Sequence, residues 1–169
     1  MRDLLGQIET ALDANLYYLA LFGALSIPDI CGAVDSEDGT ANRSKYIPWF
    51  DEYIGPKYRY GSQIFLNGED CYYFRCSLLH QGSTQHPRST YARVIFVEPS
   101  ATTNVLHRNV SNDALNIDVR IFCKDIIAGA VEWLDKVEGT ERYKKNMEKF
   151  IQRYPQGLSP YIGGVPIIS

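Results

Sequence analysis

The chain has 169 residues, 22% charged and 45% hydrophobic, with a formal net charge of −3. That length suits one domain with a core of its own. The acidic balance argues against broad nonspecific DNA binding, and leaves a local basic face as the means of gripping nucleic acid. No apolar run approaches the roughly 18 residues that span a bilayer, and Met1 to Leu5 lack a signal peptide's apolar core. The expected setting is therefore the cytoplasm, with no membrane. Cys31, Cys71, Cys76 and Cys123 form no C-x-x-C pair and read as free, mostly buried thiols.

Leu5, Ile8, Leu12, Leu16 and Leu19 recur at steps of three and four, which predicts a long first helix over about 3–25. Ser26-Ile27-Pro28-Asp29 reads as a new helix start, with Ser26 capping and Asp29 returning the bond, and this short helix ends between Gly32 and Asp35. After a polar turn at 36–40, Ser44 caps a third helix through Ile54, with Pro48 acceptable only in its first turn. Gly55-Pro56 stops it. Residues 57–66 read as a short helix or an ordered loop that carries Ile64 and Phe65 inward.

Asn67 caps the next helix, Asp70 reaches back, and Gly82 supplies the left-handed residue that closes it after Gln81. Arg93–Val97 reads as a strand, and 105–107 and 115–117 as shorter ones separated by turn residues from Asn109 to Asp113. Asp118 then caps a helix whose stripe is Phe122, Ile126, Ile127, Ala130, Trp133 and Leu134. Gly139 ends it, Thr140 begins a last helix to about Tyr154, and the tail over 155–169 is irregular but apolar. The expected fold is mainly α: a single domain over 1–169, a multi-helix bundle with a small antiparallel β element inserted at about 91–117.

Chemistry concentrates on Phe74-Arg75-Cys76-Ser77-Leu78-Leu79-His80-Gln81-Gly82, where four residues separate an arginine from a histidine at a helix end. A guanidinium can hold phosphate oxygens while an imidazole moves the proton, enough to cleave a phosphodiester without metal. The last-turn position of His80 also favours its charged form through the helix dipole. The same residues allow a structural role, with Arg75 paired to Asp70, Glu69 or another carboxylate and His80 capping carbonyls. Cys76 precedes His80 by four, which admits a thiolate–imidazole pair or part of a zinc site. No second Cys/His pair completes a metal set, so no cofactor is expected and buried structural cysteines are the better reading. Arg142, Lys145, Lys149 and Arg153 fall at steps of three, four and four, and would line one face of the last helix as a solvated face or a stripe that binds phosphates. His86 and His107 have no evident role. Nucleotide-binding glycine loops, the nucleophile elbow and zincin motifs are absent.

The Arg75-x4-His80 motif closed by Gly82, set among four or five helices, resembles the HEPN superfamily (higher eukaryotes and prokaryotes nucleotide-binding). Many of its members are metal-independent ribonucleases of toxin–antitoxin and phage-defence systems. The resemblance implies Arg75 and His80 as the catalytic pair, RNA as substrate, and a homodimer that brings two copies of the motif to one cleft. An antitoxin or another protein partner is implied as well. Cys76 stands where the family commonly has a polar residue. A competing reading is a non-enzymatic, HEPN-like interaction module, in which Arg75 and His80 are locked in internal pairs or point apart.

Overall fold

A computed structural model describes residues 1–99 and 103–169, among which six α-helices dominate and short strands fill in. Helix α1 (Arg2–Asp13) buries Leu5, Ile8 and Leu12. The expected 3–25 helix is broken after it: Asn15 adopts φ 57°, a left-handed conformation that Asn tolerates better than most residues. The chain restarts as α2 (Tyr17–Val34), and Leu16 and Leu19 leave the apolar stripe, standing 51% and 63% exposed.

Pro28 lies inside α2 and starts no new helix. Its missing N–H removes one helical bond, and the Ser26 hydroxyl, far from capping anything, donates to the Gly23 carbonyl at 2.7 Å. Asp29 consequently sits within a continuous helix, buried. Contrary to the expectation of no long apolar run, α2 is long and apolar enough to cross a membrane, yet 56% of it is buried inside the protein. It packs as a core helix against α1 and against the helices at Arg43–Tyr53 and Val119–Val137.

Helix α3 (Arg43–Tyr53) follows Asn42, whose side chain accepts from the Ser44 hydroxyl at 2.7 Å. Pro48 falls beyond the first turn. Burial of Tyr46, Trp49, Phe50 and Tyr53 outweighs a helix-interior proline penalty of about 3 kcal/mol. A 3-10 turn (Gly55–Tyr58) leads into a hairpin of β1 (Arg59–Tyr60) and β2 (Gln63–Ile64). Phe65 packs against the core as expected, but Ile64 is 45% exposed because the hairpin turns it out.

Helix α4 (Gly68–Gln81) keeps its expected bounds: Asn67 accepts from the Asp70 N–H at 2.8 Å, and Gly82 closes it at φ 65°. Asp70 does not reach back to the cap. It accepts from the Thr90 N–H at 2.7 Å and so ties the following loop to the helix.

The inserted sheet has the order β3-β5-β4, from β3 (Arg93–Val97), β4 (Asn109–Ser111) and β5 (Ala114–Asp118). Only the β4–β5 hairpin is antiparallel, its turn made by Asn112 and Asp113 at positive φ; β3 runs parallel to β5, which corrects the all-antiparallel expectation. Residues 105–107 are loop, and the expected turn residues Asn109 and Ser111 lie in β4.

Asp118 caps α5 (Val119–Val137) through the Ile121 N–H at 2.9 Å, and α5 buries Phe122, Ile126, Ala130, Trp133 and Leu134 as its periodicity predicts. Thr140 caps α6 (Glu141–Met147), which stops a full two turns short of Tyr154. The tail is not irregular. It folds back as two nested ladders, β6 (Arg153–Tyr154) with β9 (Ile167–Ile168) outside β7 (Gly157–Leu158) with β8 (Ile162–Gly163).

Candidate functional site

Helix α4 carries both residues of the motif, and its two caps fix where they stand. Arg75 points into the interface with α2, its side chain 19% exposed, and forms an ion pair with Asp29, whose side chain is 10% exposed. The Arg75 Nη1 also donates to Cys76 Sγ at 3.7 Å. His80, one helical turn and a residue further on, is exposed. Asp29 is thus paired directly with Arg75, while His80 stands apart on the same helix.

The electrostatics of that acid are set by competing effects. Burial pushes the Asp29 carboxyl above the ordinary carboxylate range, while Arg75 and then His80 pull it back. On Arg75, burial works against the charge, but Asp29 and Cys76 more than offset it and the guanidinium stays charged. The pair therefore holds a fixed cation midway along α4, with its carboxylate under strain from desolvation. Below it, the Tyr46 hydroxyl lies 3.3 Å from Cys71 Sγ, and burial raises the Cys71 thiol to about 12. Tyr72, edge-on to Tyr46 at 5.3 Å, borders Cys76, and burial raises its phenol as well.

Arg75 pairs with neither Asp70 nor Glu69. Glu69 is held by Arg43, and Asp70 by the loop at Thr90. Cys76 contacts Arg75 rather than forming a pair with His80, and among the described residues no three His, Cys, Asp or Glu side chains gather as a metal site. Neither of the two larger cavities, near Trp49 and near His86, is lined by Arg75 or His80.

The basic stripe is not built as expected. Because α6 ends at Met147, only Arg142 and Lys145 lie on it; Lys149 follows the helix and Arg153 belongs to β6. The four do not share a helix face. Arg142 is engaged by Asp35, donating to its carbonyl at 3.1 Å and lying 3.6 Å from its carboxylate. His86 stacks on Tyr73 with ring centres 4.5 Å apart, and His107 meets Tyr58 edge-on at 5.4 Å, so both have packing roles.

Sequence reading missed Asp29 as a member of the site, assigning it to a capping box. Its local pattern fitted a cap, and nothing near it in the chain announces Arg75 as its partner. Compared with protein-family models, curated proteins and solved structures, the chain shows no match.

Proposed function

We propose that this protein is a metal-independent endoribonuclease of the HEPN type, acting as a homodimer in a cytoplasmic toxin or phage-defence role. The observation that carries the reading is the placement of Arg75 and His80 five residues apart on one helix: the Arg75 cation is fixed by Asp29 and half-buried, and His80 is open to solvent. In the mechanism this suggests, His80 takes the proton from a ribose 2′-hydroxyl or delivers one to the leaving oxygen. Arg75 stabilises the charge that develops on the pentacoordinate phosphorus. Asp29 orients the guanidinium without touching substrate. A second copy of the motif, facing the first, supplies the wall of the cleft that one copy does not enclose. Lys145, Lys149 and Arg153, all exposed, are the residues left to contact the RNA backbone.

A second reading is a non-enzymatic module that works through a protein partner such as an antitoxin. It is favoured by the Asp29 ion pair, which already engages the guanidinium internally, and by Cys76 in the position after Arg75.

Purified protein with a mixed RNA pool separates the two. The nuclease cleaves with EDTA present, spares substrates lacking 2′-hydroxyls, and loses nearly as much activity in His80→Ala as in the double change with Arg75→Ala, as coupled catalytic residues do. Cleavage that persists in His80→Ala, or that needs metal, refutes the assignment. Absence of any cleavage by a folded dimer moves the reading to the interaction module.

A further inference from the structure

We propose that the C-terminal arm of one copy docks on the exposed start of α2 in a second copy, and reciprocally, so that two chains associate by exchanging arms. The contact does not depend on RNA cleavage. Among the described residues, nine of the fourteen exposed large apolar side chains fall in two places. Leu16, Tyr18, Leu19 and Phe22 stand 38–80% exposed at the start of α2. A concavity of about 210 Å³ opens among Leu16, Tyr17, Tyr18 and Leu19, lined also by Glu98. Ile151, Tyr161, Ile162, Val165 and Ile168 stand 44–83% exposed on the arm that runs from Ile151 through β9. Neither stretch carries a charge to keep it wet: residues 14–28 and 154–169 contain no Asp, Glu, Lys or Arg. Soluble monomers rarely leave such faces open.

The arm lacks support in its own chain. No apolar residue after Met147 belongs to the core or packs against it. Its ladders, β6 on β9 and β7 on β8, are two residues long. A hairpin of that size is marginal in water unless another surface backs it.

Geometry makes that surface another copy's. The arm is rooted at α6, which Asn146 ties to the C-terminal end of α2 through the carbonyls of Val34 and Ser36. The apolar face lies at the opposite end of this 18-residue helix, about 27 Å away at 1.5 Å per residue. Two copies related by a twofold axis, with α2 antiparallel to its mate, bring each arm root beside the other's apolar face and close both contacts at once. Large side chains carry ~150–250 Å², so nine of them at about half exposure hold roughly 900 Å². Reciprocal burial then reaches roughly 1,800 Å², the size of a stable interface. A lipid surface fits less well. The charged residues flanking the apolar face in sequence are Asp13 and Asp29, and Arg120 is held against Asp13, whereas an anionic leaflet calls for free lysine or arginine.

Sedimentation equilibrium of the full chain across the micromolar range tests the exchange. The wild type is expected to dimerise. Leu19→Lys and Ile168→Asp, each at an exposed position, should each weaken the dimer about a hundredfold while helix content by circular dichroism stays unchanged. Mixing the two variants sets the lysine against the aspartate in one contact and leaves the other unaltered, so the mixture should associate far more tightly than either variant alone. Face-to-face packing of the two α2 patches predicts instead that Ile168→Asp leaves the dimer unchanged. That result, a mixture no tighter than its components, or a wild type that stays monomeric, with or without uptake by phosphatidylcholine vesicles, would each overturn the exchange. A dimer indifferent to both changes would overturn it too, and would leave the homodimer of the nuclease reading intact.

Discussion

Arg75→Met tests the buried ion pair at the candidate site. Methionine keeps most of the apolar stem and removes the charge, leaving Asp29, whose side chain is 10% exposed, without its ion-pair partner. Asp29 must then stay ionised where burial already disfavours it, or take up a proton. Protonation sets a ceiling on the electrostatic loss. From an ordinary value of 3.8 to pH 7 it is about 1.36 × (7.0 − 3.8), or ~4.4 kcal/mol. At pH 5 the same product is about 1.6 kcal/mol, so the penalty shrinks by nearly 3 kcal/mol over two pH units. The upper figure agrees with the ~3–5 kcal/mol typical of breaking a buried pair from one side.

The direction in the wild type is the same. A carboxyl whose folded pKa is raised contributes stability below its ordinary value and loses that contribution as pH climbs through the raised one. Urea unfolding at pH 5 and pH 7 measures both. Arg75→Met should be strongly destabilised at pH 7 and mildly at pH 5. Adding Asp29→Asn, which removes the stranded charge, should recover most of the pH 7 loss. A cost below about 1 kcal/mol at pH 7, or equal costs at both pH values, would show that Asp29 is solvated and would refute the burial argument. The result also bears on function, because activity lost in Arg75→Met counts as catalytic only under conditions where the variant is folded.

Three other outcomes follow from the packing. Gly68→Ala places a Cβ 2.6 Å from the Ile47 carbonyl oxygen and 2.9 Å from its Cα, backbone that cannot step aside, so α4 must shift away from α3. Thermal melts should show a loss of about 1–3 kcal/mol, and an unchanged midpoint would contradict the close approach. Asn146 is buried and donates from its amide to the carbonyls of Val34 at 2.8 Å and Ser36 at 2.7 Å, joining α6 to the end of α2. Asn146→Leu should cost about 1–3 kcal/mol by denaturant unfolding and raise the protease sensitivity of the chain after Gly139. Burial raises the thiols of Cys71 and Cys123 to about 12 and that of Cys31 well above its usual value, whereas Cys76 is half-buried. Iodoacetamide at pH 8 should therefore label one cysteine per native chain, identified as Cys76 by peptide mapping, and four after unfolding.

The sequence by itself determined the features whose causes lie within three or four residues. Asn67 with the Asp70 N–H, Asp118 with the Ile121 N–H, Thr140 with the Tyr143 N–H and Gly82 at positive φ are local caps, and each marks a helix boundary where the sequence places it. The α5 stripe is equally local, because a periodicity of 3.6 is carried by neighbouring residues. The mainly helical class and the position of His80 in the last turn of α4 follow from the same short-range signals, although Arg75 lies midway along the helix and not at its end. Tertiary structure decided the rest. Pro28 and Pro48 persist inside α2 and α3 because buried neighbours on other elements outweigh a backbone penalty that local reading treats as final. β3 pairs in parallel with β5 through a crossover whose direction its own residues do not encode. α6 ends early because the following chain finds its partners in the terminal ladder, where Arg153 pairs with Ile168. Asp29 becomes part of the candidate site only when α2 and α4 are packed together, since burial and a distant arginine, not the pattern around it, define its chemistry.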